Sequence, residues 1–211
     1  MNKELFIEEV NKLGIDLDKD KLSKLEEFYN LLIEWNERIN LTAITNKEDV
    51  YLKHFYDSLT LYKEVDLNKN ITLCDVGTGA GFPGIVIKIL FPHIKITLID
   101  SLKKRIDYLN VIIKELELEN IEAIHIRGED FKGSFDLVTS RAVANIEKLV
   151  KYTMHLVSQN GFFVAMKGNV DDELIKPVIN KIKSKYIIYK IEKFNLPIEN
   201  SKRALLVLKN K

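Results

Sequence analysis

The sequence predicts an α/β protein: a mostly parallel sheet with helices on both faces, preceded by a helical N-terminal extension. Three observations lead there. From Ile71 onward, short β-branched runs alternate with helical ones, the pattern that builds βαβ units and a parallel sheet. The first third of the chain carries a one-sided apolar stripe at helical spacing. A glycine-rich turn follows directly on the first strand.

The totals leave room for this and little else. The 211 residues, 46% apolar and 30% charged, suffice for one substantial core plus a small extra element. No apolar run approaches the ~18 residues a bilayer span needs, and the N-terminus carries acids early and lacks a signal-like apolar stretch. A cytoplasmic protein with no membrane association is expected. Cys74 is the only cysteine, so an intrachain disulfide is impossible. Set in an apolar run, it reads as a small buried residue, and no His/Cys/Asp/Glu cluster with metal spacing appears. Net charge is +1, with its distribution uneven: residues 1–50 hold −5 and residues 176–211 hold +8. A basic terminal stretch reads either as a phosphate-binding face or as a solvated surface.

Taken in order, Leu22, Leu25, Phe28, Leu32, Trp35 and Ile39 recur every three or four residues after Asp18 and predict an amphipathic helix. A second helix is predicted over Lys47–Lys63, with Val50, His54, Asp57 and Leu61 near one face. Polar segments at Gly14–Asp16 and Asn40–Asn46 separate these helices. Residues 1–66 are thus expected to form the extension and residues 67–211 the Rossmann-like sheet domain. Strands are predicted at Ile71–Val76, Lys95–Asp100, Ile121–Ile126, Phe135–Ser140 and Phe162–Lys167. Helices are predicted at Pro83–Leu90, Leu102–Leu116, Asn145–Val157 and Asp171–Lys183. Two last runs, Tyr186–Glu192 and Ala204–Leu208, flank a short loop with Pro197 and can close the sheet as an antiparallel pair. The helical extension is expected to pack over the active edge.

The turn reads Asp75-Val76-Gly77-Thr78-Gly79-Ala80-Gly81-Phe82-Pro83-Gly84. Glycines permit positive φ and close approach of a ligand to the backbone, beyond the carboxyl ends of the strands where open α/β sheets bind ligands. Pro83 suits the first turn of the following helix. Gly79, Gly81 and Gly84 match the G-x-G-x-x-G dinucleotide fingerprint, which is weak by itself. Two features argue against a dinucleotide. Counted from Gly77, the third fingerprint position is Phe82, too large for close helix–strand packing. Asp75, two residues before Gly77, is unwelcome beside a pyrophosphate, whereas it suits the ammonium and sulfonium of S-adenosylmethionine. Asp100 ends the second strand 21 residues after Gly79, where a carboxylate can accept from both ribose hydroxyls; it supports an adenosine cofactor without naming which. Arg127-Gly128-Glu129-Asp130 follows the third strand, where an acid can meet an adenine amino group. The cofactor expected from these residues is S-adenosylmethionine, leaving as S-adenosylhomocysteine.

The acceptor position, at the end of the fourth strand, reads Thr139-Ser140-Arg141-Ala142. It lacks the Asn/Asp-Pro-Pro-Tyr that adenine amines need, and the chain has no Pro-Cys for pyrimidine C5 chemistry. Arg141 cannot act as a base; it can hold an anion, a carboxylate or a guanine edge. An acceptor that needs no deprotonation, such as guanine N7, suits it, with catalysis by positioning and electrostatics. The same side chain also reads as a structural ion-pair partner. Lys167-Gly168 closes the fifth strand at the same edge, placed for RNA phosphate or for solvent, and His54 and Asp57 read as a structural hydrogen-bonded pair.

Asn40-Leu41-Thr42, His54-Phe55-Tyr56-Asp57-Ser58-Leu59, the glycine turn, Ser140-Arg141-Ala142 and Lys167-Gly168 stand in the order and spacing of one family. The chain resembles, over nearly its whole length, the bacterial small-subunit rRNA guanine-N7 methyltransferases, first described as glucose-inhibited division protein B. The resemblance implies the class I methyltransferase fold and transfer of a methyl group to N7 of a guanine in the decoding-region loop of 16S rRNA, with the rRNA or a small-subunit precursor as partner and a monomeric enzyme. It implies that Gly77, Phe82, Gly128, Glu129 and Arg141 line the cofactor site, beside Asp75, Thr78, Gly79, Gly81 and Asp100 from the residue reading. It places Arg127, Arg141, Lys167 and Arg203 at the RNA-facing edge, where His54 is expected as well, with Arg141, Arg127 and Lys167 as the candidate catalytic set. The chain departs from the family at Arg203-Ala204, where Arg-His is common. Two other readings compete: a methyltransferase of the same fold acting on a small molecule or protein, and an NAD-dependent oxidoreductase.

Overall fold

The computed structural model of the chain describes residues 1–141, 145–170, 172–183 and 185–211. Ala142 and Asp171, which figure in the sequence reading, lie outside the described residues.

Helices occupy the first 63 residues. α1 (Lys3–Lys12) and α2 (Lys19–Ile39) begin on Asn2 and Asp18, whose side chains accept from Leu5 N and Lys21 N; such caps satisfy amides that the helix leaves unpaired. Asn40 ends α2 in the left-handed region, φ 49°, a conformation asparagine tolerates. The stretch expected as one regular helix is helical throughout but irregular. It comprises α3 (Lys47–Val50), a π-helical segment (Tyr51–Tyr56), α4 (Asp57–Leu59) and a 3-10 turn (Thr60–Lys63). Ser58 Oγ donates to the His54 carbonyl and Thr60 Oγ1 to that of Asp57, each at 2.6 Å. Hydroxyls that bond back onto preceding carbonyls compete with the regular ladder.

The sheet has seven strands: β1 (Thr72–Val76), β2 (Lys95–Asp100), β3 (Ile121–His125), β4 (Phe135–Arg141), β5 (Val157–Lys167), β6 (Tyr186–Asn195) and β7 (Lys202–Asn210), in the order β3-β2-β1-β4-β5-β7-β6. The first five are parallel, and β7 runs antiparallel between β5 and β6. β5 starts five residues earlier than expected, and Val157 belongs to it rather than to the preceding helix. The reason is an irregularity: Phe135 pairs with Val157, yet Leu137 already pairs with Phe162. Ser158-Gln159-Asn160-Gly161 is taken up as a bulge. Only glycine fits at 161, where a Cβ would stand 2.7 Å from the Phe135 carbonyl oxygen.

Alternate side chains of the strands serve two cores, as the pleat requires. Leu73, Leu98 and Leu137 join a large core with α1, α2, α5 (Gly84–Leu90) and α6 (Lys103–Glu115). Cys74, Ile99 and Val138 join a smaller one with α7 (Ile146–Thr153) and α8 (Asp172–Lys183). Phe6, Phe28 and Phe55 of the helical third lie in the same core as Phe82. The helices therefore reach the glycine turn directly.

Candidate active site

β2 and β4 flank β1 on opposite sides, which opens a crevice at the carboxyl end of β1. The turn after β1 lines it. Gly77, Gly79 and Gly81 have φ of 69°, 61° and 94°, values side chains rarely adopt. Gly77 N and Thr78 N both donate to the Ile99 carbonyl, at 2.8 and 3.2 Å, and Gly79 N donates to Asp100 Oδ2 at 3.0 Å. The turn is thus pinned to the end of β2.

Two expectations about this turn are corrected. Phe82 does not obstruct helix–strand packing, because its ring turns toward the N-terminal helices, 4.4 Å from the His54 ring and 5.3 Å from that of Phe28. Gly84 takes the close-packing role: a Cβ there would lie 2.2 Å from Leu98 Cδ2. The literal G-x-G-x-x-G frame is the one the packing follows, so Phe82 does not discriminate between cofactors. Pro83 caps α5 and Gly84 opens it. Asp75, in turn, is completely buried. Its Oδ2 accepts from Thr78 Oγ1 at 2.8 Å and Gly84 N at 3.0 Å, while Oδ1 has no hydrogen-bond partner. Burial pushes this carboxyl up to about 6, against those two hydrogen bonds. Asp75 braces the turn from beneath instead of standing in the crevice.

The crevice divides at Gly77. On one side a cavity of about 310 Å³ is lined by Gly77, Asp100, Arg127, Gly128, Glu129 and Tyr152, among others. Asp100 Oδ1 accepts from Leu102 N at 2.9 Å, and Oδ2 accepts from Arg105 Nη1 at 3.2 Å as well as from Gly79 N. Gly128 lies where a Cβ would approach Val76 Cγ1 at 3.0 Å and the Tyr152 carbonyl oxygen at 3.1 Å. Arg127 is exposed and lies 3.9 Å from Glu129. On the other side a cavity of about 220 Å³ is lined by Thr42, His54, Gly77–Ala80, Phe82, Arg105 and Arg141, with Leu41. The first cavity holds the acids Asp100 and Glu129 beside the exposed Arg127, and the second holds the cations Arg105 and Arg141 and no acid.

Arg141 closes the second cavity and is itself largely buried. Its guanidinium stands 4.9 Å over the Phe82 ring. Nη1 donates to the Lys53 carbonyl at 3.0 Å and reaches Asp57 Oδ2 at 3.4 Å, while Nη2 lies 3.1 Å from His54 Nδ1. Arg203 Nε donates to Asp57 Oδ1 at 2.9 Å. One carboxylate thus sits between two arginines from β4 and β7. Burial raises the Asp57 carboxyl and the two guanidiniums pull it back down. His54, expected at the RNA-facing edge, is 7% exposed; burial first, then the Arg141 and Arg203 charges, lower it to about 3. A third cavity, of about 290 Å³, lies behind this cluster between Ile44, Asp57, Met166, Lys167, Gly168 and Arg203. Lys167 is half-buried there, and burial lowers its ammonium.

The structure therefore brings the expected cofactor residues Gly77, Asp100, Gly128 and Glu129 together in one cavity and Phe82 and Arg141 in the next, where it also places His54. Sequence reasoning missed Arg105, Tyr152 and Thr42 as lining residues. Arg105 had a signal in its spacing of five from Asp100, and Thr42 in its motif; Tyr152 had none. Among the described residues no group of side chains is arranged to hold a metal ion, and no helix is long and apolar enough to cross a membrane.

The family model described as rRNA small subunit methyltransferase G matches residues 21–205. The chain is 46% identical to the ribosomal RNA small subunit methyltransferase G of Bacillus licheniformis and 44% identical to that of Bacillus subtilis, each over 99% of this chain and 90% of the relative. Similar folds occur in a SAM dependent methyltransferase from Aquifex aeolicus (TM-score 0.59, 15% identity, 77% of this chain and 93% of that one). They occur also in ribosomal protein L11 methylase from Lactobacillus delbrueckii (TM-score 0.57, 16% identity, 80% and 81%). The fold is that of the class I methyltransferases, and a match of this length and identity makes the chain a member of the rRNA small subunit methyltransferase G family.

Proposed function

We propose that this chain transfers the methyl group of S-adenosylmethionine to N7 of one guanine in the decoding-region loop of 16S rRNA. Family membership across residues 21–205 supports the reaction and the substrate. The observation that carries the cofactor's placement is the division of the crevice at Gly77 into a side that carries the acids Asp100 and Glu129 and a side that carries Arg105 and Arg141 with no acid. Asp100 would accept from ribose hydroxyls, with Glu129 and Gly128 beside the adenine and Gly77, Thr78, Gly79 and Gly81 against the chain between base and amino acid. Asp75 supports the turn, and Phe82 and Arg141 wall the far end. When bound, the cofactor supplies an electrophilic methyl group on its sulfonium.

Guanine N7 carries its own in-plane lone pair, so no residue need remove a proton before transfer. Arg141 then acts by position and charge: its guanidinium, held by the Lys53 carbonyl, Asp57 and His54, is set before substrate arrives. Lys167, Arg127 and Arg203 would face the RNA, and His54 orients Arg141. We further propose that residues 1–66 act as a helical extension of a catalytic domain spanning residues 67–211. The enzyme would work as a monomer on 16S rRNA or a small-subunit precursor, and so in the cytoplasm.

Borohydride–aniline cleavage of small-subunit rRNA tests the assignment. Cells lacking this chain should lose one cleavage site in the decoding-region loop and regain it on complementation. An unchanged cleavage pattern refutes the proposal.

A further inference from the structure

Thr42 belongs to a motif the catalytic reading leaves unused, and the direction of its hydrogen bonds gives it a task. The argument begins at Arg141. A guanidinium only donates, so His54 Nδ1, 3.1 Å from Arg141 Nη2, must be the acceptor. The Lys53 carbonyl lies 3.1 Å from the same nitrogen and accepts from Arg141 Nη1 at 3.0 Å, but a proton on Nδ1 aimed at it would leave the Arg141 Nη2 donor facing a nitrogen with no lone pair to offer. The neutral imidazole therefore carries its single proton on Nε2. Nε2 stands 2.9 Å from Thr42 Oγ1 and donates to it. Ile44 N also donates to Thr42 Oγ1, at 3.0 Å. Both lone pairs of the hydroxyl are then engaged, and its own proton has to be donated elsewhere. Among the described residues no further partner takes that proton.

The cavity at Thr42 indicates what would take it. It is the cationic side of the crevice, with Arg105 and Arg141 on its wall and no acidic side chain among its lining residues. Thr42 is held in place independently of any ligand, because its N–H donates to Asn36 Oδ1 at 2.8 Å from the last turns of α2. We propose that Thr42 is a cofactor-binding residue, donating its hydroxyl proton to the carboxylate of the methyl donor's amino-acid end. The inference rests on placing that end of the cofactor in this cavity. It makes the helical extension part of the cofactor site and ends the relay Arg141–His54–Thr42 on the ligand. The Arg141 cluster thereby fixes which way the Thr42 hydroxyl points.

Calorimetry with two ligands tests it: S-adenosylhomocysteine, which has the carboxylate, and 5′-methylthioadenosine, which lacks the whole amino-acid end. Loss of a hydrogen bond to a charged group should weaken S-adenosylhomocysteine about tenfold in Thr42→Val and Thr42→Ala. Thr42→Ser, which keeps the hydroxyl, should stay within about twofold. Methylthioadenosine affinity should not change in any variant, and its binding also reports that the site is folded. Unchanged S-adenosylhomocysteine affinity in the valine and alanine variants overturns the proposal, as does an equal loss for both ligands, which would make Thr42 a purely structural residue. If the unmodified protein binds the two ligands equally well, the placement of the amino-acid end itself falls.

Discussion

His54 joins two chemistries at the scale of one residue. It stacks on Phe82, accepts from Arg141 and donates to Thr42, and the contact with Arg141 needs a neutral ring, because only then does Nδ1 offer a lone pair. Burial and the charges of Arg141 and Arg203 hold it near 3 when folded, against 6.5 for the free side chain. The unfolded chain therefore binds a proton between those values that the folded chain does not. Stability must fall as pH drops through that window. From pH 7.5 to pH 5 this residue alone should remove about 2 kcal/mol. Asp57 and Asp75, both raised by burial, act in the opposite direction as they take up protons. The test is accordingly a difference: urea denaturation of His54→Gln and the unmodified chain at both pH values. The variant should lose about 2 kcal/mol less over this range; parallel pH profiles would mean that His54 is not held neutral.

At the scale of elements, the strand–turn–helix unit from β1 to α5 is held by one close approach. Gly84 stands where a Cβ would be 2.2 Å from Leu98 Cδ2 and 3.0 Å from Asp75 Oδ2. Gly84→Ala should push α5 off β2 and cost about 1–3 kcal/mol, the usual range for overpacking, measured by denaturant midpoint, with weaker S-adenosylhomocysteine binding because Asp75 also braces Thr78. A variant as stable as the parent would show that α5 can shift freely. Elements of this unit were legible because their signals are local: a β-branched run, then glycines, then an apolar helix. Lys95–Asp100 was legible to the residue for the same reason. The start of β5 was not, since Ser158–Gly161 reads as a loop and becomes strand only by its approach to Phe135 and Asp136. The site divides likewise. Asp100 ends β2 and the Gly128–Glu129 pair stands in the turn just after β3, and strand ends of a parallel sheet converge. The Arg141–Asp57–Arg203 bridge spans 146 residues between Asp57 and Arg203, and periodicity carries no information about such a pairing.

At the scale of the whole molecule, a chain of net charge +1 has to hold RNA. The fold answers by segregation. The acidic N-terminal residues lie in helices packed on α5 and α6, whereas the basic C-terminal stretch supplies α8, β6 and β7 at the opposite edge of the sheet. There an open groove of about 590 Å³ is lined by Lys193, Lys202 and Arg203 with Asn169 and Asn195. It adjoins the cavity of Lys167 and Arg141 through Arg203, which lines the groove and the cavity alike. A single strand of rRNA laid along this groove would bring its phosphates to the lysines and its target base toward Arg141. Each phosphate neutralised on single-stranded RNA contributes about 0.7 to the slope of log K against log salt. Lys193→Gln with Lys202→Gln should therefore lower that slope by about 1.4 in filter binding to 16S rRNA across a salt series. S-adenosylhomocysteine affinity should stay unchanged, because neither lysine lines the crevice at Gly77. A slope equal to that of the unmodified chain would remove this groove from the RNA path and leave Arg127 and Lys167 to carry the contact.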